Sequence, residues 1–517
     1  MGSMLRRKVG LFLLLALLLS PAILYAAEKE IFVTKINITG NEALSDEALS
    51  FIVKPYEGKN ITLSELQRVA AQIAEEYRKQ GYILAKAYIP EQKVINGVIE
   101  IAVVEGKVGE IKIQGEHKYY SDAFIRKHFD PVINENAVNQ DALERALLVL
   151  NEYPKLKVKT TFQAGREPGT TDIIVTAENS IPIDLTIDYN NFGSKFVGRN
   201  RFGLTFDAGN LIKEGSVLSL RGVTGEDPDD FLFGRAAYTI PLSVKGTKLG
   251  VYYAAGSYDV GKELEILEME GKSQNFGMYV SHPFIKKRNL SLTAELGFHA
   301  KNAKQYIFGD LFSHDKIRSL RGGITYESTD STGRTAAAVF ITQGLGHVLG
   351  AMENDDPMAS RFRADNKFTK FNLDIVRLQR IAQPVFLILK GSGQLSSDSL
   401  VAIEQFSIGG QDSVRGFPSG EHMGDSGYSV TGELRVSPLK NKELLQLALF
   451  IDHGYISVEN PVAGQKKDES LTGAGVGVRL NLPYDFNIRA DVGFPLEPSK
   501  NSEGKNAVFY LHAVKRF

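Results

Sequence analysis

One arginine stands among glycines, a proline and small polar residues in "SIGGQDSVRGFPSGEHMGDSGYSV", residues 407–430. Gly409, Gly410 and Gly416 permit tight bends, which places Arg415 at the tip of a loop. An arginine held away from water needs a carboxylate, because an unpaired buried charge costs several kcal/mol. The alternating stretch "LQLALFIDHGY" offers one. Leu445, Leu447, Leu449 and Ile451 share one face, and Gln446, Ala448, Phe450, Asp452 and Gly454 share the other. Asp452 can take both arms of a guanidinium, with the Phe450 ring beside it. Glu433 is the rival acceptor. The chemistry expected is charge recognition, a pin that holds a loop to a wall.

Other patterns carry less. Gly473, Gly475 and Gly477 mimic a phosphate-binding loop, but they alternate within a strand and no helix follows. "ENDDPM" (353–358) lacks the ordered ligand spacing of a calcium loop. His453 follows Asp452 but faces the other way, and no nucleophile, base and orienting group come together. The chain therefore reads as no enzyme, with no cofactor and no metal. Cysteine is absent, which excludes disulfides and thiolate sites. Lys and Arg total 60 against 61 Asp and Glu, so no global basic field suggests nucleic acid.

The elements that must position the arginine are strands. From Ile181 onward the hydrophobic period is two, as in "IPIDLTIDYN", "NLSLTAELGFHA" and "FNIRADVGF". Sixteen such runs are expected, near 181–192, 199–211, 214–224, 231–242, 247–259, 273–284, 289–301, 315–327, 333–344, 366–380, 383–396, 426–439, 444–456, 471–482, 485–496 and 507–517. Their number is even, and each is about as long as a tilted strand needs to cross a bilayer. Short turns such as "PLSVKG" and "LPYDF" alternate with longer loops at 260–272, 302–314, 345–365, 397–425, 457–470 and 497–506. Short connections on one side and long ones on the other predict an outer-membrane barrel. Residues 397–425, carrying Arg415, form the sixth long loop and are expected to fold into the lumen. Phe517, with Phe509, Leu511 and Ala513 in phase, provides the aromatic last residue that barrel-assembly machinery reads; Lys515 interrupts that face.

Two α/β modules precede the barrel. "IFVTKINITG" is expected as one strand. Thr62 and Glu65 make a capping box for a helix striped by Leu63, Leu66, Ala70, Ile73 and Tyr77 and stopped at Gly81. Two strands follow around the Asn96-Gly97 turn. The pattern recurs in 106–180, where Asn139 caps a second helix. Each small sheet is expected to leave an edge free for a peptide strand. Ahead of them, Arg6, Arg7 and Lys8 introduce an apolar run ending in "LYAAE", a secretory signal cut near Ala26 or Ala27. The expected domains are thus a signal peptide at 1–27, modules at 28–105 and 106–180, and a barrel at 181–517.

With these elements in place a family resemblance becomes specific. Val414-Arg415-Gly416-Phe417 resembles the loop-six signature of two-partner-secretion translocators, the haemolysin and filamentous-haemagglutinin transporter family, and of their barrel-assembly relatives. Phe450-x-Asp452-x-Gly454 resembles the second motif, on the strand whose lumen face receives the loop. "GYILAKAYIPEQKVINGVIEIAVVEG" (81–106) is similar to the first POTRA module, and "LTGAGVGVRLNLP" and "ADVGFPL" to the last strands. The resemblance implies two periplasmic POTRA modules and a sixteen-stranded barrel embedded in outer-membrane lipid. It further implies export of one large β-helical partner recognised through an N-terminal secretion domain. An alternative is an assembly or insertion factor for outer-membrane proteins, which shares the Arg-Gly loop; a passive porin leaves the two modules without purpose. The family's N-terminal plug helix is not visible ahead of the first module, which leaves its plugged resting state open here.

Overall fold

The computed structural model describes residues 29–133, 137–439, 441, 444–496 and 503–517. The expected signal peptide lies outside the described residues. From residue 183 onward, sixteen antiparallel strands close into a barrel. In order they are Ile183–Asn190, Arg201–Gly209, Val217–Thr224, Phe231–Pro241, Lys248–Asp259, Glu270–Lys287, Leu290–Ile307, Asp310–Thr329, Gly333–Gly344, Thr369–Ala382, Val385–Ser396, Ser426–Val436, Leu445–Ser457, Asp468–Leu482, Phe486–Pro495 and Val508–Arg516. They are called strands one to sixteen below. The last strand closes on the first through His512 to Arg516 paired with Asn190 to Thr186. Closure leaves no unpaired edge in the hydrocarbon, the condition a spanning sheet must meet.

Alternation decides which side chains meet lipid. On strand thirteen, Leu447, Leu449 and Ile451 are exposed on the outside, whereas Ala448, Phe450 and Asp452 are buried inside. The lumen face is polar because each strand contributes its other set of residues to it.

Two expectations need correction. The loop expected at 302–314 does not exist. Strands seven and eight run on to Ile307 and from Asp310, joined by Phe308-Gly309, both at positive φ. A two-residue turn of that hand suits a right-twisted hairpin. Polar residues such as Asn302, Lys304 and Gln305 read as loop because the apolar face is lost there, yet the ladder continues through them. The second correction concerns "IFVTKINITG", which is two strands. Ile31–Val33 pairs antiparallel with Lys59–Ile61, and Lys35–Thr39 pairs parallel with Val98–Val104. The break falls where the Gly97 carbonyl accepts both the Thr34 and the Lys35 amides.

The first module packs its sheet under two helices, Asp46–Val53 and Leu63–Lys79. Thr62 Oγ1 accepts from the Glu65 amide and Glu65 Oε2 accepts from the Thr62 amide, closing both ends of the capping box. Leu66, Val69, Ile73 and Tyr77 point to the sheet, beneath which Ile36, Ile99 and Ile101 are buried. Tyr77 donates to Glu105 Oε1 at 2.7 Å, and burial together with that carboxylate pushes the Tyr77 hydroxyl well above the ordinary tyrosine range. The second module carries a three-stranded sheet of Lys107–Gln114, Thr170–Asn179 and Leu156–Ala164, in that order. Beside its main helix, Gln140–Leu150, it has two short ones, Asp122–Lys127 and Asp130–Ile133, which the periodicity did not announce.

Candidate functional site

The chain between strands eleven and twelve is not a featureless loop. Phe406–Ile408 and His422–Gly424 pair as a short hairpin stem, and the tip beyond them turns back against the inner wall of the barrel. Gly409, Gly410 and Gly416 lie at φ of +101°, +95° and +104°, where a Cβ is strained. Val414 and Phe417 are buried with Ile408, Ile456, Val458 and Leu471, so an apolar core flanks the charged tip.

Arg415 is 2% exposed and lies on the wall of strands twelve to fifteen. Its Nε donates to Asp452 Oδ2 at 2.7 Å and its Nη2 to Asp452 Oδ1 at 2.9 Å, a bidentate pair. The Arg415 main-chain amide donates to the same carboxylate at 3.1 Å. Its Nη1 donates to Glu433 Oε2 at 2.7 Å. The two carboxylates that the sequence left as rivals therefore both accept from it. The guanidinium carbon stands 3.3 Å from the Phe450 ring centroid, a stacking contact available to arginine and not to lysine. Tyr510 of strand sixteen accepts from the Gly416 amide at 3.1 Å and donates to the Phe417 carbonyl at 2.6 Å.

The wall continues the charge network in directions that the spacing did not reveal. Arg479 joins Glu433 and Asp491 at 3.1 and 2.7 Å; Arg435 binds Glu433 and Arg489 binds Asp491, at 2.7 and 2.9 Å. Gln411 donates to Asp491 at 2.7 Å. Alternation along strands fourteen and fifteen turns Arg479, Arg489 and Asp491 inward, but which strands adjoin them comes only from barrel closure.

Gly454 and Gly473 explain why small residues line this wall. A Cβ on Gly454 would lie 2.8 Å from Val414 Cγ2, and one on Gly473 would lie 1.9 Å from the Arg415 carbonyl oxygen. Gly473, the first of the glycines that mimic a phosphate loop, instead leaves the space in which the tip sits. We expect Gly473→Val to leave barrel assembly intact while unseating the tip. A protease site placed beside Arg415 should then be cut at least about tenfold faster, since the clash is with backbone. An unchanged cleavage rate would show that the tip does not need this space.

The loop is also held at its stem. Arg361, from the connection between strands nine and ten, binds Asp425 through both terminal nitrogens, and Asp425 further accepts from the Leu400 and Glu459 amides, each at 2.7 Å. Glu404, 2% exposed, takes Lys301 at 2.6 Å and Lys370 at 2.7 Å. Phe517 ends the chain just past strand sixteen, its amide donating to the Leu185 carbonyl at 2.9 Å. His453 faces outward between Tyr428 and Thr472, away from Asp452. Among the described residues, no group of three histidine or carboxylate side chains is arranged to hold a metal ion.

Comparison with known proteins agrees with this architecture. Residues 169–480 match the family model of haemolysin secretion/activation protein ShlB/FhaC/HecB, and residues 31–106 match the ShlB-type POTRA domain. The heme/hemopexin transporter protein HuxB of Haemophilus influenzae is 26% identical over 487 residues, 92% of this chain and 85% of that protein. The solved structure of CdiB from Escherichia coli superposes with a TM-score of 0.80 at 19% identity, covering 96% of this chain and 93% of that one. The BamA structure from Haemophilus ducreyi gives 0.56 at 15% identity, covering 95% of this chain and all of that one, a looser likeness of fold. A closed sixteen-stranded barrel, POTRA modules ahead of it and a family match over more than half its length establish that the chain belongs to the haemolysin secretion/activation family, the outer-membrane translocators of two-partner secretion.

Proposed function

We propose that this translocator, seated in the outer membrane with its POTRA modules in the periplasm, exports one large β-helical protein. Its modules capture that partner unfolded, through an N-terminal secretion domain. The observation that carries the reading is the lumen network: a wide polar barrel holds an inward loop by a few charge pairs, which can be exchanged without breaking the ladder. The first module supports the capture step. Its sheet leaves the short strand Lys86–Tyr88 at an edge, and the groove between that strand and helix Leu63–Lys79 is lined by Leu66, Ala70, Ala74, Tyr88, Ile89 and Val94. An edge beside an apolar groove fits an extended peptide that adds as a strand.

In this reading the signal peptide covers 1–27, the modules 28–105 and 106–180, and the barrel 181–517 with 397–425 in its lumen. Val414, Arg415, Gly416 and Phe417 form the tip, received by Phe450, Asp452, Gly454 and Glu433. Phe517 is the signal read by barrel-assembly machinery. Folding of the partner outside supplies the drive, and the protein performs no catalysis of its own. Co-expression with a large exported protein that carries such a secretion domain tests this. Appearance of that protein in the medium only when the translocator is present is the expected result. Equal release in its absence would remove the function.

A further inference from the structure

Strands six, seven and eight hold 18, 18 and 20 residues, where a tilted strand needs about ten to cross the hydrocarbon. The surplus stands on the side of the long loops. On the outer face, Phe276, Met278 and Val280 of strand six, Leu296 of seven and Leu320 and Ile324 of eight are exposed to lipid. One alternate step further out, the same face turns basic. Gln274 and Lys272 follow Phe276, Asn302 and Lys304 follow Ala300, and Arg318 and Lys316 follow Leu320. Register brings these together across strands: Lys272 is opposite Lys304, Lys304 opposite His314, and Lys316 opposite Asn302.

Like charges directly opposite on neighbouring strands destabilise a sheet unless something neutralises them. Glu270 pairs with Lys272, and Asp259 lies opposite Glu270 at that flank. Among the described residues no carboxylate is within ion-pair distance of Lys304 or Lys316, both half-buried. Arg318 is held across the patch by Nε to the Leu349 carbonyl at 3.2 Å and by Nη1 to the Asn302 side chain at 3.1 Å. Lys304 and Lys316, the two uncompensated cations of this ladder, stand at the upper limit of a lipid-facing belt, where the headgroups of the outer leaflet begin, with Lys272 and Arg318 beside them.

We propose that the outward face formed by Lys272, Lys304, Lys316 and Arg318 is a binding surface for the phosphates of the outer-leaflet glycolipid. The lipid supplies the negative charge that the protein omits, and it fixes the projecting hairpins at a set height over the membrane. This goes beyond export, since it concerns lipid recognition and needs no partner protein.

The test titrates the full-length protein in nanodiscs with bisphosphorylated lipid A, with dephosphorylated lipid A and with inorganic phosphate. Wild type should bind the bisphosphorylated lipid more than about thirtyfold more tightly than Lys304→Glu/Lys316→Glu, since reversal adds repulsion to the loss of two lysines. Dephosphorylated lipid A should bind wild type as weakly as the phosphorylated lipid binds the variant. Heat-modified mobility on a gel reports whether the variant barrel is folded. Where the charge reversal disturbs assembly, Lys304→Gln/Lys316→Gln should give the loss of about thirtyfold expected of two lysines at an anionic lipid surface. Equal affinity of wild type and variant overturns the proposal, as does equal binding of the two lipids. Displacement of the lipid by inorganic phosphate at comparable affinity would make the patch a free-anion site. A variant that keeps lipid binding but loses binding of the exported partner would make it a protein surface.

Discussion

Arg415→Ala reduces export of the partner by at least about tenfold and leaves a folded, heat-modifiable barrel in the outer membrane. The asymmetry follows from which bonds are lost. Asp452 is fully buried, and its carboxylate accepts three hydrogen bonds from Arg415, two from the guanidinium and one from the main chain. Removing the side chain leaves a buried carboxylate with an uncompensated charge, a cost of about 3–5 kcal/mol when one partner of a buried pair is deleted. The tip can escape that cost by leaving the wall, and the seated state is lost. The barrel has no such dependence, because its strands are joined by a continuous ladder in which Arg415 has no part. Lysine should not restore export: it has neither the planar fork that meets both oxygens of Asp452 nor the face that stacks on Phe450. The acceptors should differ as well. Glu433→Gln is milder than Asp452→Asn, because Arg435 and Arg479 also pair with Glu433 and a neutral amide there still accepts from them. Secretion assays with a barrel-folding gel check all four variants. Normal export by Arg415→Ala would separate the charge network from transport.

Deletion of residues 31–105 is expected to abolish partner binding while single-channel conductance survives. The first module has its own core, in which Leu49, Leu66, Ile73, Ile99 and Ile101 are buried, and its own capped helix, so its loss removes a complete folded element. The barrel keeps all sixteen strands and its lumen network. Conductance in planar bilayers and binding of an unfolded secretion domain are read on the same preparation. Binding that persists after the deletion would move recognition to the second module or to the barrel.

The strands were legible because alternation is a local property: Leu447, Leu449 and Ile451 must face one way and Asp452 the other, whatever the neighbours are. Arg415 was legible because few arrangements tolerate an arginine among glycines without a buried acceptor. What the chain order hides is adjacency around a closed sheet. Asp491 and Tyr510 reach the tip only because strands fifteen and sixteen follow strands thirteen and fourteen around the same wall, on the way to closure on strand one. The projecting hairpins were missed for another reason. Beyond the bilayer the ladder no longer needs an apolar face, so the hydrophobic signal ends at Ala300 while the strand continues to Ile307. In the first module, the Gly97 carbonyl divides what reads as one strand, an effect of a residue some sixty positions away.

The measurement that tests the central claim most directly is binding of the purified protein to two unfolded substrates in parallel. One is the N-terminal secretion domain of a large exported protein tested as its partner, and the other is an unfolded outer-membrane barrel protein. The account predicts saturable binding of the secretion domain and none of comparable strength for the barrel protein. Preference for the unfolded barrel protein would contradict it and make the chain an assembly factor that shares the fold.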